Sequence, residues 1–242
     1  MPACHGASDM LSVKNLSKHF GPLLALDGVS LDIPPNAIAG VIGPNGAGKT
    51  TLLLGMAGLL PMDSGTVCWE GKLIPALARY RILFYVEDAI RPLAQLRAGV
   101  VLRFYASIFG HANKTAEEVI ERLQLRDFAG TRVSDLSKGA MKRLLIALGL
   151  LSTQPILMLD EPFDGLDLKQ VLEVVPLLRE ISAGGRTLVL SVHQLRDAER
   201  ACDQFILLNG GKRAGHGTLS ELRARAGCPS NSGLEEIFLK PV

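Results

Sequence analysis

The run Gly43-Pro44-Asn45-Gly46-Ala47-Gly48-Lys49-Thr50 constrains this chain more than any other segment. It satisfies G-x-x-x-x-G-K-[ST]. It also sits between a short apolar run, residues 37–42, and a proline-free stretch of helix formers, residues 50–60. That context predicts a buried strand, a tight loop and a helix. The residue types suit a polyphosphate. Glycines leave room for backbone N–H groups to curl round an anion, and the helix that follows points its positive end at it. Lys49 adds a mobile cation for the terminal phosphates, and the Thr50 hydroxyl can ligate Mg²⁺. A glycine-rich turn that matches by chance is the bland alternative, and the strand–loop–helix setting argues against it. The glycines are not spaced G-x-G-x-x-G, so a dinucleotide site is not indicated.

A second mark lies downstream. Residues 156–160 form an apolar run that ends in Asp160, and Glu161 follows. A buried strand ending in adjacent carboxylates needs something positive to meet them. Beside a phosphate loop, Asp160 would hold Mg²⁺ and Glu161 would orient and deprotonate an attacking water.

Hydrophobic spacing organises the rest. Strands are expected at residues 11–16, 29–33, 65–70 and 82–86. A helical middle follows, at residues 93–109, 115–125 and from near Ser137 to Leu151. Thr115 and Glu118 have the spacing of a capping box. Strands return at 156–160, 187–192 and 205–208, with helices at 168–181 and 195–201 between them. Pro176 should kink the first of these helices. Asn209-Gly210 is an expected turn, and residues 234–239 an amphipathic end. Alternating strands and helices argue for a largely parallel sheet with helices on both faces.

Composition excludes several classes. Of 242 residues 48% are hydrophobic, and 26 basic against 24 acidic side chains leave a formal charge of +2. That is no disordered polyelectrolyte and no chain dominated by a basic tail. The most apolar windows, residues 144–159 and 50–62, fall short of the about 20 residues a spanning helix needs. No secretory leader is expected, and without a CxxC pair no zinc site is expected.

These marks together resemble the ATP-binding subunit of an ABC transporter, and the resemblance covers nearly the whole chain. The phosphate loop corresponds to the Walker A motif, with Thr51 following. The signature, commonly LSGGQ, corresponds to Leu136-Ser137-Lys138-Gly139-Ala140. Residues 156–160 correspond to Walker B, with Glu161 at the catalytic glutamate. Gly165-Leu166-Asp167 matches the D-loop and His193 the switch histidine. Phe20 stands where the family places an aromatic against adenine. The resemblance implies an α/β fold: a P-loop NTPase sheet core, an antiparallel β subdomain and an inserted helical subdomain. A single domain would span 1–242, with the insert at about 88–152 facing a membrane partner.

The resemblance also implies a mechanism. Two subunits pair head-to-tail, so that each ATP touches Walker A of one chain and Ser137 and Gly139 of the other, with Asp167 close by. Lys49 and Mg²⁺, held by Thr50 and Asp160, neutralise developing charge. Glu161 acts as base, and His193 bonds the γ-phosphate. Expected partners are an integral-membrane permease and a second ATP-binding subunit, with no nucleic acid. The expected location is the cytoplasm, peripheral on the cytoplasmic face of the cell membrane. Two departures stand out. Glu87 occupies the place of the Q-loop glutamine, where it either ligates Mg²⁺ or points to solvent. Lys138 replaces the first signature glycine, and would favour an anion. Such a signature is similar to that of the bacterial drug- and antibiotic-export branch, so export is expected over import. A non-transport ATPase of the same superfamily and a nucleotide-gated clamp with little hydrolysis are the alternatives.

Overall fold

A computed structural model describes residues 10–88 and 90–238. The chain opens with β1 (Leu11–Phe20) and β2 (Leu23–Ile33), an antiparallel pair. Next come β3 (Ile38–Ile42), α1 (Lys49–Ala57), β4 (Ser64–Trp69), β5 (Lys72–Leu73) and β6 (Leu83–Val86). The helical middle holds α2 (Ala98–Ile108), α3 (Asn113–Arg122) and α4 (Lys138–Leu151). Then follow β7 (Ile156–Leu159), α5 (Leu168–Ala183), β8 (Thr187–Val192), α6 (Leu195–Ala201) and β9 (Gln204–Asn209). The described chain ends with β10 (Lys212–Gly217), α7 (Leu219–Ala226) and α8 (Leu234–Phe238).

Two sheets result. One is antiparallel, in the order β2-β1-β4-β5. The other has the order β10-β9-β3-β8-β7-β6, parallel except for β10. The parallel strands are apolar on both faces because both are covered. Their period of two sorts side chains into separate cores. Ala39 and Val41 of β3, with Met158 of β7 and Val189 of β8, face α1 and the antiparallel sheet. Ile38 and Ile42, with Leu157 and Leu190, face α4, α5 and α6. In α1, Leu52, Leu53 and Met56 are fully buried, each stabilising the fold by roughly 1.5–3 kcal/mol. This packing lays α1 beneath the antiparallel sheet and aims its N-terminus at the ends of β3, β7 and β8. A doubly wound sheet presents its ligand crevice at those strand ends.

Several local expectations need correction. Thr115 does not cap a helix: α3 starts earlier, at Asn113 after Ala112, with no side-chain cap. Helix α5 runs through Pro176 to Ala183 instead of ending at 181. Pro176 is exposed, so the carbonyl its ring leaves without a donor can turn to water. Strand β10 and helix α7 were not expected. The sequence KRAGHG carries no apolar alternation, and it becomes a strand by pairing with β9. Helix α7 is short, but Thr218 and Glu221 form a true capping box at its start. The amphipathic end is α8, and residue 239 lies outside the described residues. No helix of the described residues is long and apolar enough to cross a membrane.

Candidate nucleotide site

Between β3 and α1 the backbone turns in a way that only glycine permits at several points. A Cβ on Gly43 would stand 2.4 Å from the Leu208 carbonyl oxygen and 2.9 Å from the Ala47 Cβ. Gly48 has φ +99°, and a Cβ there would lie 2.7 Å from the Ala25 oxygen. Ala47 is buried beneath the loop, its N–H donating to the Pro44 carbonyl at 3.1 Å. The Lys49 side chain is buried, and its ammonium donates to the carbonyls of Gly43 at 2.9 Å and Pro44 at 3.2 Å. Among the described residues the cation is thus held at the loop by neutral acceptors.

A cleft of about 590 Å³ opens above this loop. Asn45, Gly46, Gly48, Lys49, Thr50 and Thr51 line its floor. Phe20, at the end of β1 and 46% exposed, forms part of a wall with Leu23 and Leu24. The Lys18 ammonium sits 5.4 Å from the Phe20 ring centroid. An aromatic wall, a floor of backbone donors and a buried lysine suit a purine with a polyphosphate tail. Glu161 lines the same cleft.

The parallel register sets the acidic side. Leu159 pairs with Leu190 on one side and Val86 on the other. Asp160 therefore follows beside Ser191, and its N–H donates to the Val86 carbonyl at 2.9 Å. The buried Asp160 carboxylate accepts three hydroxyl donors. Thr50 Oγ1 reaches Oδ2 at 3.2 Å, the Tyr85 hydroxyl reaches Oδ2 at 3.1 Å, and Ser191 Oγ reaches Oδ1. Burial, and then the Asp160 charge, push the Tyr85 phenol well above its usual range, so it stays a neutral donor. Among the described residues no cationic side chain pairs with Asp160. Its carboxylate and the Thr50 hydroxyl form a hard oxygen donor set beside the loop, which fits Mg²⁺.

Glu161 has an unusual backbone, with φ +47°. Its N–H donates to Ser191 Oγ at 2.8 Å and its carbonyl accepts from Lys142 Nζ at 2.7 Å. Its carboxylate Oε2 stands 3.7 Å from His193 Nδ1. His193 follows β8, whose end lies beside β3 and β7.

Other expected residues lie apart from the cleft. Ser137 caps α4, its hydroxyl accepting from the Ala140 N–H at 3.3 Å. Gly139 packs so closely on the 165–170 segment that a Cβ would lie 3.2 Å from the Gly165 oxygen. Asp167 caps α5 in a capping box with Gln170. None of the three lines the cleft of its own chain. Glu87 does not join Thr50 and Asp160. It lines an apolar groove of about 250 Å³ with Phe84, Ile90, Pro92, Tyr105 and Leu145. The exposed reading of Glu87 is the one the geometry matches. Lys138 meets an anion within its own chain: its ammonium is 2.6 Å from Asp164 Oδ2. That hydrogen bond holds the Asp164 carboxyl below its usual range.

Sequence reasoning passed over Tyr85, Ser191, Asp88 and Lys142. Ser191 was findable, as the one polar side chain within the apolar stretch between Leu188 and Val192. Lys142 was findable as a cation on the buried side of an apolar helix. One oxygen from each of Asp88, Glu161 and Asp164 lies within 4.8 Å of the others. Lys138 and Lys142 supply positive charge to this cluster, bonding Asp164 and Asp88.

Comparison with known proteins places the chain in a family. The profile of the ABC transporter family matches residues 26–164. The chain is 32% identical over 238 residues to the ABC-type transporter ATP-binding protein EcsA of Bacillus subtilis, covering 96% of each. It is 30% identical over 225 residues to the Nod factor export ATP-binding protein I of Burkholderia lata, covering 90% of this chain and 74% of that one. A solved structure of an ATP-binding subunit of an ABC transporter superposes with a TM-score of 0.84 at 27% identity, covering 95% of this chain and 98% of that one. The chain therefore belongs to the ABC transporter family, as an ATP-binding subunit with ATPase activity.

Proposed function

We propose that this subunit hydrolyses ATP with Lys49, Thr50, Asp160, Glu161 and His193, and that hydrolysis drives export through a separate membrane-spanning permease. The observation that carries the chemistry is the position of Glu161: it lines the cleft that holds Lys49 and Thr50, with His193 3.7 Å behind it. Phe20 would stack on the base, and residues 43–51 would wrap the phosphates. Lys49 would exchange its loop carbonyls for phosphate oxygens, and Glu161 would take the proton of the attacking water. Thr50 and Asp160 would hold Mg²⁺, which when bound supplies Lewis-acid neutralisation of phosphate charge.

Ser137, Gly139 and Asp167 stand outside their own cleft, which supports a head-to-tail dimer in which they complete the partner's site. The proposed organisation is one ATPase domain with a helical insert at about 88–152. On that insert Val100, Phe104 and Ile108 are exposed at successive turns of α2. Together with the groove beside Glu87, this apolar stripe supports docking of a permease on the cytoplasmic face of the membrane. The relative named for Nod factor export supports the outward direction.

Phosphate release by the purified chain with Mg-ATP tests the chemistry. Lys49→Ala and Glu161→Gln should each lower the rate at least tenfold, the general-base change at the scale of about 10²-fold or more. Steady turnover excludes the clamp, and undiminished turnover in both variants overturns the residue roles. A cross-linker placed by Phe104→Cys in native membranes should capture a polytopic membrane protein. Capture of soluble proteins alone overturns the transport assignment.

A further inference from the structure

We infer that Lys142 is a positioning residue for Glu161, holding the glutamate's backbone in its left-handed conformation and tying it to the segment after β6. The inference rests on the reading of Glu161 as the base. A glutamate at φ +47° occupies a region that side chains with a Cβ disfavour. Such a conformation persists only where the surroundings over-determine it. Here the peptide groups on both sides of the residue are held. The N–H is taken by Ser191, which itself bonds Asp160. The carbonyl is taken by the Lys142 ammonium at 2.7 Å.

Lys142 suits this task because it has little freedom. Its side chain is only 4% exposed, and α4 fixes its stem. Its second partner is the Asp88 carboxylate, which neutralises the buried charge and aims the ammonium at Glu161. Removing either partner of such a pair leaves the other charge buried and uncompensated. Asp88 follows Glu87, which lines the apolar groove, and precedes Ile90, which lines it as well. One ammonium therefore joins three parts: the signature helix, the groove segment and the backbone of the base. A shift of Asp88 would reach the Glu161 carbonyl through this side chain. Within the cluster of Asp88, Glu161 and Asp164, Lys142 pairs with the Asp88 carboxylate and Lys138 with that of Asp164, which leaves the Glu161 carboxylate directed at His193.

Steady-state phosphate release by the full chain over a range of Mg-ATP concentrations tests this, with thermal melting measured on the same samples. Lys142→Met should lower kcat by about ten- to a hundredfold while leaving KM for ATP within about twofold, the pattern of a lost transition-state contribution. Combining it with Glu161→Gln should add less than about twofold to the loss from Glu161→Gln alone, because the two residues act as a unit. If Lys142→Met melts early, Lys142→Met with Asp88→Asn removes both charges of the pair, and the same kinetic pattern is expected. Unchanged kcat, a raised KM alone, or additive losses in the combined variant overturn the inference. A Glu161→Gln variant that keeps the wild-type rate instead overturns the parent reading of Glu161.

Discussion

The Tyr85 hydroxyl donates to Oδ2 of Asp160 at 3.1 Å, and the Thr50 hydroxyl reaches the same oxygen at 3.2 Å. The first donor comes from β6 and the second from α1, so this carboxylate oxygen ties the sheet to the phosphate loop. Tyr85→Phe removes one hydroxyl with almost no change of shape. A neutral donor to a charged acceptor contributes roughly 1.5–3 kcal/mol. The variant should lose that much stability in urea unfolding, while Thr50 and Ser191 keep Asp160 in place.

This bond also shows what the sequence could reveal and what it could not. The phosphate loop was legible because its chemistry is local: Gly43, Gly48 and Lys49 lie within one turn, and the flanking strand and helix follow from hydrophobic spacing. Asp160 and Glu161 were legible because adjacent carboxylates at the end of an apolar run demand a reason. Tyr85, Ser191 and Lys142 reach that site from β6, β8 and α4, and only the parallel register of β6, β7 and β8 puts them together. The two readings of Glu87 stayed open for the related reason that position along a chain does not say which side of a loop a residue leaves. Strand β10 left no trace in its hydrophobic pattern, since its partner strand β9 supplies the pairing.

Two glycines of the phosphate loop should respond differently to alanine. At Gly43 the new Cβ would meet the Leu208 oxygen at 2.4 Å, and that oxygen belongs to a core strand that cannot retreat cheaply. At Gly46 nothing lies within 4 Å, and the cost is only that of φ +79°. That conformational term is roughly 1–2 kcal/mol. Gly43→Ala should therefore lose more stability than Gly46→Ala in matched denaturation curves. The reverse order would show that the β3 end yields more easily than its packing implies.

His216 on β10 should give the fold a pH dependence near neutrality. Its Nε2 is buried without a hydrogen-bond partner among the described residues, and burial, then the charge of Arg213, push its pKa below the ordinary 6.5. A depressed histidine pKa means that the unfolded chain takes up a proton first. Stability is therefore whole above about 6.5 and declines as the pH falls from there toward the lowered folded value. Urea midpoints at pH 7.5 and 5.5 should differ in the wild type, and the gap should narrow in His216→Gln.

Glu87 offers a separate test of the acidic side. Its carboxylate lines the groove with Ile90 and Pro92, and it is absent from the cleft that holds Thr50 and Lys49. The hard donors beside the phosphate loop are Thr50 and Asp160, 3.2 Å apart. Glu87→Gln should then leave the affinity for Mg-ATP within about twofold, whereas Asp160→Asn should weaken it at least tenfold, a step of about 1.4 kcal/mol. Titration calorimetry of the two variants with and without Mg²⁺ separates the cases. A magnesium-dependent loss at Glu87 would mean that the segment after β6 swings into the cleft when nucleotide binds. It would also break the contact between Asp88 and Lys142, because the two acids are neighbours in the chain.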